Sequence, residues 1–244
     1  MSTMMEGFID LHQHVLWGLD DGPKTPEEMH KLLRADAKDG IRVLAATSHA
    51  LPGIRPFDQD LYDARIREAQ AYCDVNRLPI RLIRGAEIRY TSSAVPMLLD
   101  KRIPTLGDSE YVLVEFWHSV DRKTFAQAID SLFRNGFIPV VAHVERYVLF
   151  YTEMNFVLSL KSDYEVYYQV NCDFLLQNLN FFMRLRRQQM LKRGIFDMIS
   201  TDAHNTITRP PRMNEVYKLF HSKENAPEYL QLFIFKRTGE RVTD

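Results

Sequence analysis

Short, almost continuously apolar runs punctuate the chain, and stretches with helical apolar spacing lie between most of them. The runs cover residues 8–11, 43–47, 80–83, 112–116, 138–142, 167–170 and 198–200. Runs of this length without polar alternation fit parallel strands buried on both faces. Interleaved with helical patterns, they read as repeated βα units. Seven such strands predict an α/β fold, a distorted (β/α)7 TIM-like barrel, with residues 1–244 forming a single domain. No internal repeat, low-complexity tract or linker breaks the pattern.

Several helices declare their ends. Thr25-Pro26-Glu27-Glu28 has the form of a capping box with proline at the first helical position, and Gly40 supplies the stop. Met29, Leu32 and Leu33 make one buried face between them. A second helix spans 124–135, with Phe125, Ile129, Leu132 and Phe133 as its inner stripe and Gly136 ending it. A third spans 60–76, with Leu61, Ala64, Ala69, Tyr72 and Cys73 inward. Residues 177–194, rich in Arg and Gln, read as an exposed helix, and a short one spans Met213–His221.

Composition narrows the function. Apolar residues make up 45% of the chain, enough for a sizeable core. A formal net charge of −1 argues against a protein that coats nucleic acid, whose affinity needs excess Lys and Arg. No apolar run reaches the roughly 18 residues of a membrane span, so an integral membrane protein is not expected. The first residues lack a secretory signal pattern. The two cysteines, Cys73 and Cys172, form no metal or disulfide pattern, which fits a reducing compartment, and a cytoplasmic location is expected. A cysteine-based phosphatase loop would place Arg six residues after the thiol, but Pro79 and Asn178 stand there.

The chemistry lies at the strand ends. His12-Gln13-His14 follows the first run, and two imidazoles two residues apart on a strand share a face. Asp20-Asp21-Gly22 follows in the loop. His49 comes after the second run, Glu87 after the third, Glu115 within the fourth, His143 after the fifth, and Asp202-Ala203-His204 after the seventh. In an α/β barrel these ends converge on one face. His12, His14, Asp21, His49, Glu87, Glu115, His143, Asp202 and His204 are then candidate ligands. Nine exceed what one ion takes and suit two or three that share a carboxylate. Mixed imidazole and carboxylate sets favour Zn²⁺, Mn²⁺ or Fe²⁺ over Ca²⁺ or Mg²⁺. A lone HxH or DxH would mean little; Glu115 inside an apolar strand is harder to explain without a cation or a strong donor. His30, His118 and His221 have no such context and read as surface residues. Trp17 and Tyr147 read as packing, with a pocket wall as the alternative.

These motifs carry a family likeness. Ile9-Asp10-Leu11-His12-Gln13-His14, Gly18-Leu19-Asp20-Asp21-Gly22-Pro23-Lys24-Thr25, Ala46-Thr47-Ser48-His49, Gly85-Ala86-Glu87-Ile88-Arg89, Leu113-Val114-Glu115-Phe116, Ala142-His143-Val144-Glu145-Arg146-Tyr147, Gln169-Val170-Asn171 and Ser200-Thr201-Asp202-Ala203-His204-Asn205 occur in family order. The chain resembles the polymerase-and-histidinol-phosphatase (PHP) superfamily and, within it, the bacterial protein-tyrosine phosphatases of capsule and exopolysaccharide loci. The resemblance implies three metals: one held by His12, His14, Glu87 and Asp202, one by Glu87, Glu115 and His143, and one by Asp21, His49 and His204. Manganese is the first choice, with iron or zinc as alternatives. It further implies that Arg146 and Arg209 bind the phosphate; on spacing alone a structural ion pair, or for Arg209 a solvated loop, is the plainer reading. The expected activity is hydrolysis of phosphotyrosine by metal-activated hydroxide, with His49 the nearest proton donor if one is used. The expected partner is a phosphotyrosine-bearing protein, a bacterial tyrosine kinase controlling polysaccharide assembly.

The chain departs from the family at Thr47-Ser48-His49-Ala50, usually Thr-Pro-His-His, and at His143-Val144-Glu145-Arg146, usually His-Pro-Glu-Arg. Two other readings follow. A histidinol-phosphatase type would show a deeper pocket with a further anion-binding or carboxylate group. A scaffold without turnover would keep the fold and lose the chemistry.

Overall fold

The computed structural model describes residues 7–221, the last as backbone only. The expectations for the His221 side chain, for the tail after it and for the first six residues lie outside the described residues. The chain runs β1 (Phe8–Gln13), α1 (Pro26–Asp39), β2 (Ile41–Ala46), β3 (His49–Ala50), α2 (Gln59–Val75), β4 (Arg81–Arg84), β5 (Glu87–Arg89) and α3 (Ala94–Leu99). It continues with β6 (Tyr111–Glu115), α4 (Arg122–Arg134), β7 (Ile138–Val141), α5 (Leu149–Thr152), α6 (Met154–Asp163), β8 (Tyr167–Asn171), α7 (Cys172–Leu176), α8 (Phe181–Lys192), β9 (Met198–Ser200) and α9 (Met213–His221).

Among the described residues all strand pairs are parallel, as the uninterrupted apolar runs lead one to expect. They form two sheets, ordered β1-β2-β4 and β3-β5-β6-β7-β8-β9. Two expected strands are each followed, after a two-residue break, by a further short strand that the apolar runs did not mark. Thr47-Ser48 separates β2 from β3, and Gly85-Ala86 separates β4 from β5. Side chains stitch the breaks: the Tyr62 hydroxyl donates to the Ala46 carbonyl at 2.8 Å and accepts from the Gly85 amide at 2.9 Å. Thr47 Oγ1 accepts from the Gln13 amide at 2.9 Å. Between β1 and the segment after β9, a single bridge pairs Gln13 with Ala203. The ladder is therefore not continuous around the molecule.

Most buried apolar side chains form one cluster between strands and helices. A second, smaller cluster collects Leu11 from β1, Ala45 from β2, Ile83 from β4, Leu113 from β6, Val140 from β7, Tyr167 from β8 and Met198 from β9.

The helix ends follow local chemistry. Thr25 Oγ1 accepts from the Glu28 amide, and Gly40 closes α1 at φ 97°, a left-handed conformation that glycine takes without strain. The return arm of the box goes to Lys24, not Thr25: Glu28 Oε2 accepts from the Lys24 amide at 2.7 Å. On α2 the buried stripe is Tyr62, Ala69 and Cys73, with Leu61, Ala64 and Tyr72 only half-buried. On α4 the buried stripe is Phe125, Ala128, Ile129 and Leu132, whereas Phe133 is exposed, its ring edge-on to Tyr164. The helix expected at 177–194 begins at Phe181, where Asn180 caps it, and α7 precedes it as a separate short element. At α9 the Asp39 carboxylate accepts from the Met213 and Asn214 amides, which fixes the last described helix to α1. No described helix is long and apolar enough to cross a membrane.

Candidate metal centre

The strand ends place the nine predicted residues in one cluster. β1 carries His12, and His14 follows it; β3 begins with His49, β5 with Glu87, and β6 ends with Glu115. His143, Asp202 and His204 follow β7 and β9, and Asp21 comes from the loop before α1. Register sets several neighbours: His49 pairs with Glu87, and Arg89 with Glu115. Four overlapping groups offer donor atoms within 4.8 Å of one another: His14, Asp21, His49 and His204; His12, His14 and Glu87; His12, His143 and Asp202; His49, Glu87 and Glu115. Each of the nine residues belongs to at least one group. His14 joins the Asp21, His49 and His204 set, and Glu87 reaches His143 at 2.7 Å as well as His12, His14 and His49.

The donor set fits divalent cations. His12 Nε2, His14 Nε2, His49 Nδ1 and His204 Nε2 are buried without a hydrogen-bond partner. Each nevertheless faces a carboxylate at 3.0–3.4 Å. Buried polar atoms ordinarily find partners. Lone pairs and carboxylates aimed at common points are the arrangement that a shared cation satisfies.

The opposite ring nitrogens are anchored. Gln169 Oε1 accepts from His12 Nδ1 at 3.1 Å and from the His143 amide at 2.7 Å, so the proton stays on Nδ1 and Nε2 faces the centre. Gln169 Nε2 donates to Asn171 Oδ1, and Asn171 Nδ2 donates to Asp202 Oδ2, each at 2.8 Å. Asp20 does the same for His14: its Oδ2 accepts from His14 Nδ1 at 2.8 Å and from the His49 amide at 3.0 Å. Gly22 accepts no side chain in this loop, because a Cβ would lie 2.4 Å from the His14 carbonyl oxygen. His204 Nδ1 lies 2.9 Å from the Asp202 carbonyl oxygen. His143 (φ 33°, ψ 55°) and Asp202 (φ 51°) hold left-handed backbone.

Electrostatics follow from crowding. Burial alone would raise the Glu87 pKa, but His12, His14 and His143 outweigh it and hold the carboxyl well below its usual range. Glu115 goes up, through burial and the Glu87 charge, although Arg89 pulls the other way. Burial takes His143 down to about 4 despite Glu87. Burial would lower His14 too, but Asp20 and Glu87 carry it well up.

Among the described residues, three arginines pair with carboxylates of the cluster. Arg146 and Arg209 each donate to Asp202 Oδ2 at 2.7 Å, and Arg209 lies 3.6 Å from Asp21. Arg89 donates to Glu115 Oε1 at 2.9 Å and stacks under Trp117, its guanidinium carbon 4.2 Å from the ring centre. Trp117 is 69% exposed. Arg146, Arg209 and Asp202 share a cavity of about 260 Å³ with Tyr151, Phe174 and Met183.

Sequence reasoning gave no role to Gln169, Asp20 or Arg89. The signal for Gln169 was a polar residue inside a buried strand; for Asp20 it was a second carboxylate beside Asp21. Tyr147 does not wall a pocket: it is fully buried, and its hydroxyl accepts from the Phe116 amide at 3.1 Å and lies 3.4 Å from His143 Nδ1. Trp17 packs under Arg65 and donates to Glu68. His118 is exposed as expected, whereas His30 is half-buried and stacks on Tyr72 with centroids 3.7 Å apart.

Fold and site together define a parallel α/β protein with an imidazole–carboxylate centre at its strand ends. The chain belongs to the CpsB/CapC family of capsular polysaccharide synthesis, which it matches over residues 8–240. It is similar to tyrosine-protein phosphatase CpsB of Streptococcus pneumoniae, 30% identical over 231 residues, with 93% of this chain and 95% of that protein covered. Tyrosine-protein phosphatase YwqE of Bacillus subtilis is 30% identical over 142 residues, covering 57% of this chain and 54% of that one. A solved structure from work on YwqE of Bacillus subtilis and CpsB of Streptococcus pneumoniae, described as unique metal-dependent tyrosine phosphatases, superposes with a TM-score of 0.82. That match has 22% identity and covers 95% of this chain and 92% of the other, and it speaks for the fold.

Proposed function

We propose that this chain is a metal-dependent protein-tyrosine phosphatase acting in capsular or exopolysaccharide synthesis. One observation carries the reading: Arg146 and Arg209 both hold Asp202, which is itself within 3.4 Å of His12 and 3.6 Å of His14. Two guanidinium groups of the kind that bind phosphate thus stand within one carboxylate of the candidate metal cluster. Kinship with named tyrosine-protein phosphatases supplies the substrate class.

On this reading His12, His14, Glu87 and Asp202 hold one ion, Glu87, Glu115 and His143, with His143 at 2.7 Å from Glu87 and 3.8 Å from Glu115, a second, and Asp21, His49 and His204 a third, with His14 close to the third set as well. Mn²⁺ is the favoured ion, with iron or zinc as substitutes. Bound ions of this kind polarise phosphoryl oxygens and make water a competent nucleophile near neutral pH. Arg146 and Arg209 turn their remaining N–H groups to the phosphoryl oxygens and offset charge there. Gln169 and Asp20 keep the imidazole lone pairs aimed at the centre. His49 faces Asp21 at one ring nitrogen and Glu87 at the other, which suits a ligand better than a free proton donor. A tyrosyl leaving group, with a pKa of about 10, needs little acid assistance.

Openness favours a protein substrate over histidinol phosphate. Asp21 is exposed, and Arg146, Arg209 and His49 are partly so. Ser48, Ala50 and Val144, where the family has proline or histidine, are buried, with His49 and His143 still facing Glu87. The second apolar cluster, fed by β1, β2, β4, β6, β7, β8 and β9, supports a seven-stranded distorted barrel of the PHP kind in one domain. The reading extends to a bacterial tyrosine kinase as partner and, with both cysteines free, to the cytoplasm. The test compares hydrolysis of a phosphotyrosine peptide and histidinol phosphate, with Mn²⁺ and with chelator. Mn²⁺-dependent turnover of the peptide is expected. Faster turnover of histidinol phosphate, or none of either, would overturn the reading.

A further inference from the structure

α8 is out of balance with the rest of the chain. Formal net charge is −1 overall, yet residues 174–196 contain Arg184, Arg186, Arg187, Lys192 and Arg193 and no Asp or Glu. The first turn also exposes apolar surface: Phe181 is 60% and Phe182 74% exposed, with Leu185 exposed beside them. Some of the cations have structural work. Arg187 donates to the carbonyls of Phe174, Leu175 and Gln177, and Arg193 donates to Asn155 Oδ1. Arg184, Arg186 and Lys192 are exposed, and Arg186 lies over Tyr151, 5.1 Å from the ring centre.

This ridge is continuous with the candidate centre. The cavity that holds Arg146, Asp202 and Arg209 is also lined by Leu179 from the α7–α8 loop, Met183 from α8, and Tyr151, over which Arg186 lies. The carboxylates of its lining are Glu145, Asp173 and Asp202. Asp202 is held by Arg146 and Arg209, Asp173 pairs with Arg212, and Glu145 is buried. The excess positive charge therefore lies on the outer, α8 side.

We propose that α8 and the α7–α8 loop form a docking ridge for the peptide flanking the phosphotyrosine, selecting segments with Asp or Glu beside an apolar or aromatic side chain. The proposal rests on the phosphatase reading above. With its phosphate at Arg146 and Arg209, a substrate chain can leave across the cavity rim onto α8. There, exposed guanidinium groups attract acidic side chains over a Debye length. Phe181 and Phe182 offer aromatic area with few rotatable bonds to order on binding. An anionic membrane surface would also meet cations and aromatics, but the wall shared with the centre favours the peptide.

The test is steady-state kinetics on three substrates with Mn²⁺-loaded protein: p-nitrophenyl phosphate, a phosphotyrosine peptide with acidic and apolar flanks, and the same peptide with asparagine for each acid. Wild type should prefer the acidic peptide about tenfold in kcat/KM, mainly through KM, with the preference shrinking as salt rises. The double variant Arg184→Glu, Arg186→Glu should lose that preference and keep wild-type rates on p-nitrophenyl phosphate. Phe182→Ser should weaken both peptides and leave the small ester unchanged. Unchanged rates on the small ester also certify that the variants fold. Turnover of p-nitrophenyl phosphate without peptide preference, or a preference that survives the double variant, overturns the ridge alone. No turnover of any substrate overturns the phosphatase reading and the ridge with it. Binding to phosphatidylglycerol vesicles that the double variant loses, without peptide preference, would reassign the ridge to a membrane and overturn the proposal.

Discussion

Replacing Gln169 by leucine tests whether the candidate metal centre depends on a neutral amide outside its donor set. Gln169 is fully buried in β8. Leucine roughly conserves its volume, so packing should survive. What disappears is an acceptor for the His143 amide at 2.7 Å and His12 Nδ1 at 3.1 Å, and a donor to Asn171 at 2.8 Å. Two buried N–H groups lose their partner, at about 1–3 kcal/mol each. The metal-stripped variant should therefore be about 2–6 kcal/mol less stable in urea denaturation. The second effect is chemical. Without Gln169 the His12 proton is free to move to Nε2, toward Glu87 and Asp202, and an incoming cation must displace it. Loss of such an outer partner typically costs about 10–100-fold in affinity, or about 1.4–2.8 kcal/mol. Calorimetric titration of Mn²⁺ into stripped protein reads this directly. Weaker stability with an affinity within about twofold of wild type would refute the tautomer argument. It would leave Gln169 a packing residue.

Three further outcomes are expected. His143→Ala removes the imidazole 2.7 Å from Glu87 and should nearly abolish phosphotyrosine turnover while circular dichroism stays native; wild-type-like rates would contradict its assigned role. Tyr62→Phe strands the Ala46 carbonyl and Gly85 amide, so it should cost about 2–3 kcal/mol and lower the melting temperature by about 4–12 °C in calorimetry. A shift below about 2 °C would mean that the strand breaks hold without the hydroxyl. Asp36 is raised well above 3.8 by burial, against its hydrogen bond from Gln13 and with help from Asp10 and Asp39. Its neutral form is the one the fold favours, so its contribution is complete below about pH 4 and is lost as pH rises through the folded-state value. Asp36→Asn should be more stable than wild type at pH 8, with the gap closing toward pH 4; a gap independent of pH would count against this.

The strands were legible because parallel strands covered on both faces leave unbroken apolar runs, and the candidate ligands because all but Asp21 stand at the end of such a run or just after it. The breaks at Thr47-Ser48 and Gly85-Ala86 were not legible. They depend on Tyr62, which is distant in sequence and stands one residue from the Leu61 that helical spacing favoured. Phe133 shows the same limit: periodicity says which face a residue takes, not whether it is covered there. Asp20 and Gln169 escaped notice because their partners are ring nitrogens brought from other elements. Only the fold decides which of two adjacent aspartates meets His14 and which meets His204.

The twisted backbone at His143 and Asp202 leaves a mark for comparing descendants of this protein. A bulky residue in that conformation gives up about 1 kcal/mol or more, which glycine does not. A lineage that still uses the chemistry has to bear that burden at both positions. One that abandoned it would gain by drifting to glycine there, while its strands and helices stayed intact. Glycine at both places would then distinguish retired relatives from working ones, even where overall similarity is high.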